Sequence, residues 1–482
     1  MSLSGALSNA VSGLTANARG TSVISSNIAN ALNENYGRRD IKLTSNPTQT
    51  SGGVLVAQIS RHVDPILAYQ KRLALADNAT NTAKSTFQND LEKLIGSLDT
   101  AGSLTNKLTQ FEAAIFSASS DPSSETRLRN VSFAAEAFTS KLRSASDGIS
   151  QLRTQAEVQI AYSVEQLNLG LSQIEKLNSR IMTTKHMGQD PHALLDRRDA
   201  VLDKLSQHVP LRVVERDSGV IAVFTAQGRT LLDENAVEFS FERASAALPH
   251  MTVGNGLLSQ LHANGAPIDF FGPSMMDGGS LAAQFELRDV TMTQAQSRLD
   301  GIARDMIERF GPGGPDASLS PGDLGVFSDR GVVFITTSET GIAGRIELNK
   351  ILDSSGAETW RWRDGLNAPA PSDHGEADLL LRLQKRMSEN IASGSPALGA
   401  SERSLPMHLQ ELANDVAASR VRRSDEQAAA SELLNDVRQA VASTGVNSDQ
   451  ELQKLIELEK SYAANARVVQ VVDDMLSELL RI

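Results

Sequence analysis

FTSKLRSASDGISQLRTQAEVQIAYSVEQLNLGLSQIEKLNSRI (138–181) decides the fold class. Phe138, Leu142, Ala145, Ile149, Leu152, Ala156, Ile160, Val164, Leu167, Leu171, Ile174 and Ile181 follow one another at spacings mostly of three or four. That period winds a single apolar stripe along an α-helix. Upstream, Asp121 and Pro122 read as an N-cap followed by a first-turn proline. Unbroken from Ser124 to His186, the helix would be on the order of 90 Å long, with Gly148 and Gly170 as expected bends. Residues 65–118 read as a second helical stretch, and Asp190–Pro191 opens a third that reaches His208.

Beyond His208 the period shortens. Leu211–Glu215, Val220–Phe224, Arg229–Leu232 and Val237–Phe241 are short, β-branched runs parted by turn residues, the pattern of antiparallel strands. A helix is expected from Ser280 to Phe310, then a loop through GPGGPDASLSPGDLG (311–325). Val332–Thr336, Arg345–Leu348 and Glu358–Arg363 read as further strands, and helices resume at about 376–392 and 405–442. Trp360 and Trp362 would alternate onto one side of the last strand. Packing over a β-core is the plainer reading of that pair, and a surface binding or adhesion module the sharper one.

Both ends carry a thin stripe. In residues 1–33, where Arg19 is the only cation and Ser, Thr, Asn and Gly abound, Leu7, Leu14 and Ile28 fall on a seven-residue spacing. Gly5, Gly13 and Gly20 weaken such a helix in isolation. At the other end, Ser448 and Glu451 form a capping box, and Leu455, Tyr462, Val469 and Leu476 repeat every seven residues, with Leu479 beside them. Neither stripe has a partner nearby in sequence, so pairing of the first helix with the last is expected.

The fold expected is therefore multidomain and mainly α, a long helical bundle with coiled-coil-like terminal helices and a β-rich insertion in the middle. Residues 1–60 and 445–482 make a terminal helical assembly domain. Residues 61–208, 279–311 and 372–444 make a long-helix bundle domain, and 209–278 with 312–371 a β-rich outer domain.

Composition removes most other function classes. Net charge is −12 and the basic clusters, Arg38–Arg39 and Arg420, Arg422, Arg423, are followed closely by acids, so nucleic acid is not an expected partner. There is no cysteine, hence no disulfide, thiolate metal site or Cys nucleophile, which suits a chain exported unfolded. Residues 1–18 form no continuous apolar segment of a secretory signal, and no run approaches 18 apolar residues, so neither Sec export nor membrane insertion is expected. His186 and His192, the closest His pair, straddle a Gly and a Pro, and no HExxH, phosphate loop, GxGxxG or GxSxG occurs. Asp196 with Asp199 and Asp473 with Asp474 sit in helical repeats, where solvated faces or interhelix ion pairs are expected. No metal, cofactor or catalytic residue is assigned, and no enzyme activity is expected.

SSNIANALNENYGRR (25–39) resembles the signature of the flagellar axial-protein family, through Asn27, Ile28, Ala29, Asn30, Tyr36, Gly37 and Arg38. Family members usually carry Thr-Pro-Gly before the Tyr; this chain has Asn33-Glu34-Asn35. GGVLVAQISRHVDPILAYQKR (52–72), LLDRRDAVLDKLSQHV (194–209), GGSLAAQFELRD (278–289) and GVNSDQELQKLIELEKSYAANARVVQVVDDMLSELL (445–480) are similar to landmarks of its hook-associated members, the last through Tyr462, Asn465, Ala466, Asp473 and Met475.

The resemblance implies a secreted structural subunit at the hook–filament junction, exported by the flagellar type III apparatus. It implies contacts with its own copies in an axial ring, with hook protein below and hook-associated protein 3 above. A dedicated export chaperone would hold the C-terminal segment before export. A rod or hook subunit is the alternative within the family. The expected assembly residues are Leu7, Leu14, Asn27, Ile28, Asn30, Tyr36, Arg38, Leu455, Tyr462, Asn465, Val469, Leu476 and Leu479. Asn27 and Asn30 are expected to satisfy backbone groups where the first helix ends.

Overall fold

The computed structural model describes residues 3–45, 52–97, 100–268, 270, 276–372 and 375–481. The molecule is mainly helical, and one helix, α4 (Glu125–His186), organises it. Its cap is Ser124, which accepts from the Arg127 amide; Asp121 instead closes the preceding helix, and Pro122 sits in the turn between them. Lys185 and His186 in the last turn suit the negative end of the helix dipole. Gly148 and Gly170 do not interrupt it. They admit Leu94 and Leu205: a methyl at Gly170 would lie 2.5 Å from Leu205 Cδ2, and one at Gly148 would overlap Leu94.

Two hydrophobic cores lie along this spine. The first half of α4 packs with α2 (Pro65–Ile95), α3 (Leu104–Ser120), α7 (Met292–Arg309), α9 (Asp378–Ser388) and α10 (Leu405–Ser443). The second half packs with α5 (His192–Ser206), α6 (Gly279–Glu286) and the small antiparallel sheets β3–β4–β5 (Leu211–Glu215, Ile221–Thr225, Thr230–Leu232) and β6–β7–β8 (Phe239–Ser240, Leu261–Ala263, Ala266–Ile268). The 65–118 stretch is two helices, because Gly96 turns the chain at φ +87°. A π-turn (Leu287–Thr291) separates α6 from α7 within the helix expected at 280–310.

The middle of the chain departs from its reading. Residues 209–278 and 312–371 were expected to share one outer domain, yet they belong to different cores. Phe327, Ile346, Leu348, Trp362 and Leu366 pack in the first, while 209–278 packs in the second. Of the three later strands, only β10 (Ile346–Leu348) forms, pairing with β9 (Phe327–Asp329). Val332–Thr336 holds a single bridge and a 3-10 turn, and 358–363 enters a helical turn, α8 (Arg361–Asp364). Trp362 is buried there, donating from Nε1 to Ser132 Oγ at 2.8 Å and meeting Phe111 edge-on, whereas Trp360 lies half-buried under Arg361. The two indoles share no exposed face. A short apolar run cannot distinguish strand from buried turn by period alone.

Candidate assembly interface

The terminal helices α1 (Leu3–Ala29) and α11 (Ser448–Leu479) lie antiparallel against each other. Their register is a heptad step run in opposite directions. Asn27 meets Glu451, Gly20 meets Leu458 and Gly13 meets Asn465. Between the latter two pairs, Asn17 Nδ2 donates to Ser461 Oγ at 3.0 Å. A methyl on Gly20 would lie 2.7 Å from Leu458 Cδ1, and one on Gly13 would lie 2.8 Å from Asn465 Nδ2. The glycines that weaken α1 as an isolated helix are thus what lets α11 approach it closely.

This seam sits one position away from the stripe expected. Leu7, Leu14 and Ile28 are half-buried on its flank, with Leu7 beside Val469, Val472 and Leu476. On α11, Leu455, Asn465 and Val469 are half-buried, but Tyr462 (51% exposed), Leu476 (39%) and Leu479 (59%) are largely open. The seam keeps the seven-residue step but follows the small residues Gly13 and Gly20, roughly 100° round α1 from the apolar stripe. The capping box is also replaced. Asn447 caps α11 by accepting from the Asp449 and Gln450 amides, while Glu451 points inward.

Glu451 is received by Asn27. The Asn27 side chain is fully buried and fills its whole hydrogen-bonding capacity. Nδ2 donates to Glu451 Oε2 and to the Arg39 carbonyl, both at 2.9 Å; Oδ1 accepts from Tyr36 Oη at 2.9 Å and from the Arg39 amide at 3.0 Å. One amide thereby ties together the end of α1, the signature Tyr, strand β1 (Arg38–Ser45) and the start of α11. Asn30 Nδ2 donates to the Ser26 carbonyl, and Arg38 pairs with Asp40 at 2.9 Å.

The β1 hairpin, completed by β2 (Val54–His62), is fastened to the body by α5. Asp196, Asp199 and Asp203 lie along one face of that helix. Arg61 binds Asp196 and Asp199, each at 2.7 Å; Arg39 binds Asp196; Arg72 and Lys71 bind Asp203, and Arg72 reaches Asp199 as well. Burial alone would disfavour the Arg61 charge, but Asp199 and Asp196 outweigh it and raise its pKa. Asp196 also accepts from the Gly37 amide, and His192 Nε2 lies 2.8 Å from the Ile59 carbonyl. Arg61, Glu451, Gly13 and Gly20 lie outside the expected assembly residues, and the seven-residue step from Gly13 through Gly20 to Asn27 is the sequence signal that points to the two glycines.

Among the described residues, no group of three His, Cys, Asp or Glu side chains could hold a metal ion. No described helix is long and apolar enough to cross a membrane.

Comparison with known proteins gives the same picture. The family model for the flagellar hook-associated protein FlgK helical domain matches residues 88–311, and that for the flagellar basal body rod FlgEFG protein C-terminal matches 437–482. Flagellar hook-associated protein 1 of Bacillus subtilis is 23% identical across 97% of this chain and 96% of its own length. Its namesake in Escherichia coli is 25% identical over 64% of this chain and 56% of its own length. The solved hook junction protein FlgK of Burkholderia pseudomallei superposes with a TM-score of 0.45 at 22% identity, over 54% of this chain and 46% of that one. End-to-end similarity to one relative, and a helical-domain match that falls on the α4 spine, point the same way: across its length the chain is similar to flagellar hook-associated protein 1.

Proposed function

We infer that this chain is a subunit of the hook–filament junction, and that the α1–α11 pair is the element by which it joins the axial structure. The observation that carries this is how little the pair buries. In α11 only Glu451 and Val472 are buried, while Leu452, Ile456, Val468, Val471, Met475 and Leu479 are exposed. On the α1 side the buried residues are mostly small: Gly5, Ala10, Ala16 and Gly20, with Val23 and Ile24. Such a contact offsets little of the entropy of ordering two long helices. Neighbouring subunits supply the missing burial, and before assembly the pair is loosely held, which suits passage through a narrow export channel.

In this reading hook protein lies below, hook-associated protein 3 above and further copies alongside. The flagellar type III apparatus exports the chain, and a chaperone shields the C-terminal helix beforehand. The role is structural and needs no catalytic step.

The test is deletion of residues 448–482 in a strain lacking the native copy. Neither α1 nor α11 contributes to the three hydrophobic clusters, so the truncated chain is expected to fold, melt cooperatively and fail to hold filaments. Filaments attached at the normal frequency would refute the assignment. The rod-protein match at 437–482 gives a second reading, a rod or hook subunit. In that case a null strain would lack the hook itself rather than shed its filaments.

A further inference from the structure

A groove of about 1270 Å³ opens where the β1–β2 hairpin meets the α4–α5 turn and strand β3. Six basic side chains and three carboxylates line it, on a chain whose net charge is −12. Three of the cations are committed: Arg61 and Arg72 to Asp199, and Arg198 to the Gly219 carbonyl at 2.6 Å. Arg19, Lys185 and Arg212 are exposed and form no ion pair among the described residues. Val56, Ile59 and Tyr69 give the groove an apolar wall.

A matching surface lies at the far end of the terminal pair. The last turns of α11 set Val469, Val472 and Leu476 around Leu7. Val471, Asp474, Met475 and Glu478 recur at i, i+3, i+4 and i+7 on another side, all exposed. Leu7 marks this tip, whereas the Asn27–Glu451 contact marks the base, beside the hairpin that walls the groove.

We propose that the groove of one copy receives the acidic, apolar tip (471–478) of the next copy's last helix. Charge selects the occupant: three uncommitted cations over an apolar wall face a segment that alternates carboxylates with Val471 and Met475. Size agrees, since eight helical residues measure roughly 12 Å by 10 Å. Groove and tip are different surfaces, so where a copy gives its tip to one neighbour and receives another's the contact is heterologous, and copies join head to tail. The proposal rests on the assembly role inferred above.

The chain has no cysteine, so introduced thiols report the contact cleanly. The full-length chain carrying Lys185→Cys and Glu478→Cys is assembled in cells lacking the native copy, and isolated flagella are treated with a short bis-maleimide. A ladder of multimers of this chain is expected from the double variant, and monomer from each single variant. Motile cells without the ladder would overturn the groove assignment while leaving the assembly role intact. Failure of the unsubstituted chain to restore filament attachment would instead sink the assembly role. Linkage of the groove thiol to a different flagellar subunit would overturn the choice of a second copy. Should the thiol variants not assemble, a charge swap decides. Lys185→Glu with Arg212→Glu is expected to lower attached filaments at least about tenfold. Adding Asp474→Lys and Glu478→Lys to the same chain is expected to restore them, and no restoration refutes the contact.

Discussion

Asn27→Ala separates the terminal pair from the body. The substitution deletes four hydrogen bonds at a fully buried side chain. Two partners keep an alternative: Tyr36 retains Ser26 Oγ at 3.2 Å, and Glu451 retains Lys454 at 3.2 Å. The Arg39 amide and carbonyl lose their Asn27 partner, and the buried Glu451 carboxylate loses its amide donor. Stranded groups of this kind cost about 1–3 kcal/mol each when water is excluded. The half-buried Arg39 peptide regains part of that from solvent, so a total of about 3 kcal/mol is expected. That corresponds to roughly 100-fold in an opening equilibrium. The cost stays local, because no residue of α1 or α11 belongs to the hydrophobic clusters. Amide hydrogen exchange is the assay: residues 20–36 and 448–460 should exchange roughly 100-fold faster, with the α4 core as an unchanged internal standard. Exchange of α11 within about threefold of the parent, or equal acceleration in α4, would show that Asn27 is not the clasp.

Other consequences concern the body. Gly279 adopts φ +76°, and a methyl there would run into the His208 carbonyl, a backbone group that cannot swing aside. Gly279→Ala should therefore cost about 3 kcal/mol or more, read as a lowered Tm, whereas Gly188→Ala, also at positive φ but with open space around it, should cost about 1 kcal/mol. His408 is buried with neither ring nitrogen hydrogen-bonded, and burial, with Arg309 and Arg403 nearby, pushes its pKa down to about 4. Its folded pKa lies below the unfolded value near 6.5, so the unfolded chain takes up the proton first as pH falls. Stability should drop by about 3 kcal/mol between about pH 6.5 and 4 through this group. His408→Leu should remove that part of the pH dependence in denaturant titrations and add about 1 kcal/mol at pH 7. An unchanged acid slope in that variant would contradict the assignment.

Much of the architecture was legible in the residues. The α4 stripe announced a long helix because its apolar positions keep the 3.6-residue period across both cores, and that period needs no knowledge of the partner. The signature around Asn27 and Tyr36 and the C-terminal repeat marked the two ends as one unit. Three features lay outside any local pattern. The run around Trp362 forms a helical turn that places its indole against Ser132, a partner far away in sequence. Asp196, Asp199 and Asp203 read as ordinary helical acids, and only the folded chain brings Arg39, Arg61, Lys71 and Arg72 onto them.

The most instructive case is the terminal seam. Hydrophobic periodicity pointed to Leu7, Leu14 and Ile28, yet the helices meet along Gly13, Gly20 and Asn27. Sequence by itself determined that each end is a helix with one thin stripe and that the two belong together. Tertiary structure decided which side of each helix turns inward, because close approach of two backbones is governed by what is absent at a position, and a missing side chain gives no hydrophobic signal.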